Sequence, residues 1–388
     1  MKILQIIPSI SLVYGGPSQM ILGFAAALAR QGIDVTILTT NSNGDQGQPP
    51  LDVPLDQPVF QDGYQVRYFR CSPFRRYKFS AELLQWLYQH TKEFDIAHIH
   101  ALFSPVSTAS AMICRNRKLP YILRPLGTLD PADLEKKKVL KKAYIALFEK
   151  PNLAGAAAIH FTSHQEAKVS AHFGLSTQDL IIPLGVNAPA PVSPKQTLET
   201  SSPCILFMSR IEPKKGLNIL IPALEKLLSE NINFHFILAG NNPQDAEYET
   251  KIRLQIEEST LANHTTITGF VSGEIKAKFL QESDIFVLPS YYENFGIAVA
   301  EAMVSGLPVV ISNQVYIWQD VEKAKAGWVA NCDVESLAGV LRLALQDPAE
   351  RKQRGLNAQQ YALKHYNWDN IAQKTIQIYQ QILLSKNL

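Results

Sequence analysis

Two glutamates, Glu293 and Glu301, bracket the segment Glu293-Asn294-Phe295-Gly296-Ile297-Ala298-Val299-Ala300-Glu301, which directly follows the apolar run Ile285-Phe286-Val287-Leu288-Pro289-Ser290. A strand, a short loop and a helix with its mouth toward a ligand would read this way. With Phe295 opening the helix, its first backbone N–H groups lack internal partners and carry the positive end of the helix dipole. That end suits an anion or a hydroxyl-rich ligand. A rise of about 1.5 Å per residue sets Glu301 roughly two turns inside and leaves Glu293 at the rim. One carboxylate could then meet a reacting centre and the other a neighbouring diol. The plainer alternative is a helix flanked by two glutamates, the first of which only complements the dipole.

Upstream, the apolar run Cys204-Ile205-Leu206-Phe207-Met208 leads into Ser209-Arg210-Ile211-Glu212-Pro213-Lys214-Lys215-Gly216. Arg210 and Lys215 would emerge at a strand end and the next helix start. Two cations there could grip a diphosphate through charge-assisted hydrogen bonds of about 1.5–3 kcal/mol each; a solvated basic loop is the alternative. Residues 9–17 contain Gly15-Gly16, whose missing side chains would let a ligand approach the backbone. This is not the G-x-G-x-x-G fingerprint, which disfavours a dehydrogenase, and an ordinary turn would serve equally well. His98 and His100 alternate along Asp95-Ile96-Ala97-His98-Ile99-His100 and so share a face. One can be a satisfied core histidine, and His100, at the strand's end, is the one placed to reach a cleft. Metal binding is disfavoured, because no D-x-D and no third ligand at fitting spacing accompanies the histidines.

These side chains need strands to carry them, and strand-like runs alternate with helical patterns throughout. That is the signature of α/β units whose parallel sheets are covered on both faces. Strands are expected near 3–8, 34–40, 66–69, 95–100, 121–124, 157–161 and 180–182, then near 204–209, 234–239, 266–268, 284–289 and 308–312. Met20, Ile21, Phe24, Leu28 and Ala29 recur at helical spacing, with Gly16 as cap and Pro17 at the first helical position. Ser163-His164-Gln165-Glu166 fits a capping box and so starts a helix rather than forming a hydrolytic site. Helices are expected near 334–346, 348–364 and 368–384. Pro189, Pro191, Pro194 and Pro203 punctuate a polar stretch, residues 193–202, without periodicity, which reads as a hinge.

The chain's 388 residues suffice for two hydrophobic cores. Its 37 Lys and Arg against 35 Asp and Glu leave a net charge of +2. No overall field gathers nucleic acid, so anion binding must be local. Cys71, Cys114, Cys204 and Cys332 are scattered, which suits reduced thiols in a cytoplasmic protein rather than a zinc site or disulfide framework. No run approaches the roughly 18 apolar residues that span a bilayer. Residues 133–150 interleave six lysines with Val139, Leu140, Tyr144, Ile145, Leu147 and Phe148. Such a basic amphipathic helix suits an anionic membrane surface, or else a solvated helix packing one apolar face.

Taken together, these residues resemble the retaining glycosyltransferases of family 4, the glycosyl transferases group 1, of bacterial exopolysaccharide type. The similarity runs from the Gly15-Gly16 loop to the final helix. It is most specific in Pro289-Ser290, Glu293-Asn294-Phe295-Gly296, Glu301-Ala302-Met303 and Gly306-Leu307-Pro308-Val309-Val310, with Arg210, Lys215 and Gly216 upstream. The resemblance implies a GT-B fold, two Rossmann-like α/β domains facing each other across a deep interdomain cleft. The acceptor-binding domain would span residues 1–190, completed by the helix 368–388, and the nucleotide-sugar-binding domain residues 203–365.

By the same resemblance, Arg210 and Lys215 hold the donor diphosphate and stabilise it as it leaves. Glu301 takes the ribose hydroxyls, and Glu293 lies over the donor sugar. The backbone at Asn294, Phe295 and Gly296 binds sugar hydroxyls and the distal phosphate, while Gly269, Phe270 and Val271 read the base. Gly16 approaches the phosphate from the other domain, and His100 faces donor sugar and acceptor. The chain departs from the family pattern at Leu184 and Asn187, at Asn241, and at Val315-Tyr316-Ile317-Trp318, which lacks the usual glycines. Arg124, in the segment where the acceptor should enter, is a further acceptor contact.

The implied activity is transfer, with retention, of a hexosyl group from a nucleotide-diphosphate sugar, UDP-glucose or a related UDP-sugar. The acceptor would be a saccharide or lipid-linked saccharide in polysaccharide biosynthesis, with no metal or other cofactor required. The setting would be the cytoplasm or the inner face of the plasma membrane. No second carboxylate is evident for the opposite sugar face, which favours front-face substitution. A nucleotide-sugar epimerase and a non-catalytic nucleotide-sugar-binding regulator are the alternatives.

Overall fold

The computed structural model describes residues 1–44, 48–73, 78–129, 144–171, 177–188 and 202–385. Most of the basic stretch 133–150 and nearly all of the proline-rich junction 189–203 lie outside them. The chain divides into two compact units, Met1–Gly185 with Trp368–Leu388, and Val186–Asn367.

The first unit is built on eight strands: β1 (Lys2–Ser9), β2 (Asp34–Thr40), β3 (Pro58–Gln61), β4 (Tyr64–Phe69), β5 (Ile96–His100), β6 (Tyr121–Arg124), β7 (Ala158–Phe161) and β8 (Asp179–Ile181). They lie in the order β3-β4-β2-β1-β5-β6-β7-β8. Every pairing is parallel except β3 with β4. The central strands are buried on both faces and therefore read as continuous apolar runs. The sequence reading lacks β3. This edge strand is half-exposed, with Phe60 turned to solvent. It joins β4 through Asp62 and Gly63, both with positive φ (47° and 82°), as a two-residue hairpin turn requires.

The first long helix, Gly16–Arg30, is capped by Gly15 at positive φ (70°), one residue earlier than the proline pattern implies. The last helix, Trp368–Ser385, packs within this unit, and its indole fills a notch made by two glycines. A Cβ on Gly23 would come within 2.8 Å of the Trp368 ring, and one on Gly185 within 2.1 Å. Trp368 is buried, and Trp368→Ala is expected to destabilise the first unit by about 3–5 kcal/mol, read by chemical denaturation.

The second unit has six strands: β9 (Cys204–Met208), β10 (His235–Ala239), β11 (Thr265–Gly269), β12 (Ile285–Leu288), β13 (Val309–Ser312) and β14 (Gly327–Ala330). All are parallel, in the order β11-β10-β9-β12-β13-β14. From β9 the chain builds outward to one side, then returns beside β9 with β12 and builds outward to the other. The loops leaving β9 and β12 therefore part at a topological switch point, where open α/β sheets place ligands. β14 is a second strand missing from the sequence reading, because Gly327 looks like a boundary there. Its glycine serves packing instead: a Cβ would lie 1.9 Å from the Val309 carbonyl oxygen. No helix among the described residues is long and apolar enough to cross a membrane.

Candidate active site

The loops leaving β9 and β12 bring Arg210, Lys214, Lys215 and Glu293 together. Lys215 ends a short 3-10 turn, Pro213–Lys215, and Gly216 (φ 74°) caps the following helix Leu217–Ser229. Only glycine fits there, since a Cβ would stand 2.0 Å from the Pro289 carbonyl oxygen on the neighbouring loop. This close approach sets the two loops side by side, and the Tyr291 N–H donates to the Lys214 carbonyl at 2.8 Å. The buried Lys215 ammonium forms an ion pair with the Glu293 carboxylate.

Glu293 is fixed by its own backbone. Its N–H donates to the Gln314 carbonyl (2.9 Å), and its carbonyl accepts from the Tyr316 N–H (2.8 Å). The segment 314–316, where the usual glycines are missing, thus serves as a backbone brace. Burial alone would raise the Glu293 carboxyl, but Lys215, Lys214 and Arg210 outweigh it and hold the group below the usual carboxylate range. Arg210 also reaches Glu212 at 3.3 Å and keeps nearly half of its side chain exposed.

The helix after β12 opens at Ile297, not Phe295, with Gly296 as a left-handed cap (φ 75°). Phe295 is buried instead, edge-on to Tyr366 with ring centroids 5.0 Å apart. Glu301 therefore sits about one turn inside the helix rather than two. Its carboxylate pairs with Lys276, from the helix Gly273–Glu282. At the end of β11, Gly269 has φ 73° with open space around it, and Phe270 projects into solvent with 71% of its surface exposed. An exposed ring beside an open backbone is a surface a flat base could stack on. Val271 follows, partly buried.

In the first unit, β1 and β5 lie side by side, so the loop with Gly15 and Gly16 and the end of β5 leave the same edge of the sheet. His100, expected to reach a cleft, is wholly buried and presents no surface to a ligand in this conformation. Its ring stacks on His98 at 4.6 Å, and its Nε2 meets Gln5 Oε1 at 2.7 Å. His98 Nδ1 in turn meets the Tyr379 hydroxyl (2.7 Å), and His98 Nε2 lies 3.1 Å from His160 Nδ1. The register that puts Gln5 opposite His98 assembles this polar chain inside the core. Arg124 is also buried, which removes it as a ready acceptor contact. Ser163 caps the helix His164–Ser170, accepting from the Glu166 N–H at 3.1 Å. The Glu166 side chain does not close the box but takes the Thr162 N–H (2.7 Å) and the Gly127 N–H (3.1 Å).

Three site residues escaped the sequence reading. Glu212 pairs with both Arg210 and Lys214, Lys214 adds its charge to the field on Glu293, and Lys276 neutralises Glu301. Lys214 was visible as half of a lysine pair. Lys276 had no signal, since only the packing of two helices brings it to Glu301.

Two features define the class of molecule: two α/β units, each built on a parallel or largely parallel sheet, and a cluster of cations and carboxylates at one sheet's switch point. The overall fold matches the protein HepE of Anabaena, solved in complex with UDP and glucose, with a TM-score of 0.76 at 20% identity over 98% of this chain and 100% of that one. It is the fold of the GT-B glycosyltransferases. Residues 15–185 match the glycosyl transferase 4-like domain, and residues 191–361 match glycosyl transferases group 1. With the two matches covering most of both units, the chain belongs to the family 4, group 1 glycosyltransferases.

Among its relatives, an uncharacterized glycosyltransferase of Methanocaldococcus jannaschii is 32% identical over 181 residues, 45% of this chain and 44% of that protein. The amylovoran biosynthesis glycosyltransferase AmsK of Erwinia amylovora is 32% identical over 153 residues, 38% of this chain and 37% of that protein. Each match spans less than half the length of the relative.

Proposed function

We propose that this chain transfers a hexosyl group, with retention, from a nucleotide-diphosphate sugar to a saccharide or lipid-linked saccharide in polysaccharide assembly at the cytoplasmic membrane face. UDP-glucose or a related UDP-sugar is the expected donor. The observation that carries the reading is the cluster of Arg210, Lys214 and Lys215 around an ionised Glu293 at the β9/β12 switch point. A leaving diphosphate develops negative charge, and fixed cations in a partly dry site stabilise such charge without reorganising. HepE, with UDP and glucose bound in its crystals, favours a uridine donor.

In this reading Arg210 and Lys215 take the diphosphate. Lys215 exchanges its Glu293 partner for phosphate oxygens, which leaves the Glu293 carboxylate to accept from sugar hydroxyls. The N–H groups at Ile297 and Ala298, with Asn294 and Gly296 before them, continue the polar surface. Glu301, freed from Lys276, accepts from the ribose diol, while Gly269, Phe270 and Val271 border the base. Gly15 and Gly16, without side chains, leave the backbone of their own loop in the first unit open to a ligand. With His100 sealed in the core, the chemistry rests on Arg210, Lys215 and Glu293. Front-face substitution follows, the departing phosphate oxygen taking the acceptor's proton, without a metal.

Two measurements test this. Thermal unfolding with UDP, GDP and ADP should show the largest stabilisation by UDP, since a ligand that binds only the folded state raises its stability. Incubation with UDP-glucose and an acceptor should give an α-linked product, seen by the anomeric NMR signal. A β-linked product, or a glycosyl adduct trapped on Glu293, would overturn the proposed stereochemical course.

A further inference from the structure

Tyr366 stands where the chain last leaves the second unit. It closes the helix Pro348–His365, its N–H donating to the Ala362 carbonyl at 2.8 Å, and only Asn367 separates it from the final helix, which belongs to the first unit. The chain's other passage from one unit to the other is at Gly185 and Val186. Inside the second unit the two passages are joined. The Val186 N–H donates to the Tyr366 carbonyl at 2.8 Å, and Val186 pairs with Asn367 in a parallel bridge.

The Tyr366 side chain points the other way in function, into groups of the candidate site. Its ring is 1% exposed. Phe295, 2% exposed, meets it edge-on with the planes at 72°, and Tyr361 packs on it with centroids 5.6 Å apart. The Tyr366 hydroxyl donates to Asp320 Oδ2 at 2.9 Å. Asp320 belongs to the helix Trp318–Ala324, which begins two residues after Tyr316, part of the brace that fixes Glu293. Burial, with the Asp320 charge added, pushes the phenol well above its usual range, so it stays protonated and remains the donor.

One buried ring therefore touches the loop of Glu293 through Phe295 and the helix behind its brace through Asp320, while its own backbone holds Val186. Edge-to-face aromatic pairs are directional, and close-packed interiors transmit displacement rather than absorb it. Phe295 lies between Asn294 and Gly296, whose backbone borders the donor in the reading above, so a shift of its ring carries both neighbours with it.

We infer that Tyr366 is a positioning residue of the donor site: through Phe295 it sets the backbone of Asn294 and Gly296, and through its own carbonyl it passes the occupancy of that loop to Val186. The inference rests on the donor reading above and adds a consequence to it. Linkage makes the effect reciprocal, since whatever UDP adds to the hydrogen bond between Val186 and Tyr366, that bond adds to UDP affinity.

Hydrogen exchange of the Val186 amide in the full chain, read by mass spectrometry with and without saturating UDP, tests the inference. UDP should slow that exchange by about fivefold or more, a coupling of ordinary size. Phe295→Leu and Tyr366→Leu keep an apolar side chain but lose the edge-on pair. Each should abolish the slowing at saturating UDP and weaken UDP binding about fivefold in calorimetry, with a folded second unit confirmed by its unfolding transition. Tyr366→Phe keeps the ring and should keep the slowing. A tyrosine that only stabilises the core would shift the unfolding transition of these variants and leave the response of Val186 to UDP intact. UDP bound by the wild-type chain without slowing at Val186 would overturn the inference, as would slowing that persists in both leucine variants. A wild-type chain that binds no UDP at all defeats the donor reading, and this inference with it.

Discussion

Lys215→Met is expected to lower kcat by about 10²–10³, the loss found when one fixed donor to a developing negative charge is removed. The lysine is buried and paired with Glu293, so the substitution also leaves a partly buried carboxylate with only Lys214 and Arg210 near it. Breaking such a pair costs about 3–5 kcal/mol when the remaining charge is fully buried. Glu293 is only partly so, and the loss should be smaller. A double substitution separates the two effects. Adding Glu293→Gln to Lys215→Met removes the stranded charge and should restore the denaturation midpoint, but it should not restore turnover. Recovery of both would reduce Lys215 to a structural partner of Glu293.

The second large effect is acid lability of the first unit. Burial pushes His98 down to about 3 and His100 and His160 well below the usual histidine range, with the charge of buried Arg124 adding to each. The folded state keeps all three neutral, while the unfolded chain protonates them near pH 6.5. Their contribution is therefore complete above that pH and is lost as the pH falls toward the folded values. One proton corresponds to about 1.4 kcal/mol per pH unit, and three to about 4.

Glu149 and Glu166 act in the opposite direction. Burial raises both carboxyls, so their contribution is present below the unfolded value and lost as the pH rises. They offset at most two of the three protons. The urea midpoint of the first unit should accordingly fall between pH 6.5 and 5, and His160→Phe should flatten the fall. A midpoint that holds constant across this range would contradict the buried neutral cluster.

The residues that carry chemistry were legible because they stand where strands end. Apolar runs located β9 and β12, and the residues following them are Arg210, Lys215 and Glu293. Gly216 stood out only as part of a motif, and its close approach to the Pro289 carbonyl on the neighbouring loop had no signal in the sequence. Less legible were features that depend on neighbours distant in sequence. The edge strand β3 buries too little to show an apolar pattern, and β14 opens on a glycine chosen for contact with β13. His100 illustrates the same limit. Alternation placed it correctly beside His98 on one face, but only the register with β1 and the hydroxyl of Tyr379 from the last helix turn that face into a closed polar core.

The central claim is that Arg210 and Lys215 form the seat of a nucleoside diphosphate. Titration of UDP into the wild-type chain and into Arg210→Ala/Lys215→Met measures it most directly. Two charge-assisted contacts predict at least a hundredfold weaker binding by the double variant, about 2.7 kcal/mol or more, with a folded second unit confirmed by its unfolding transition. Equal affinity of the two proteins for UDP would contradict the account.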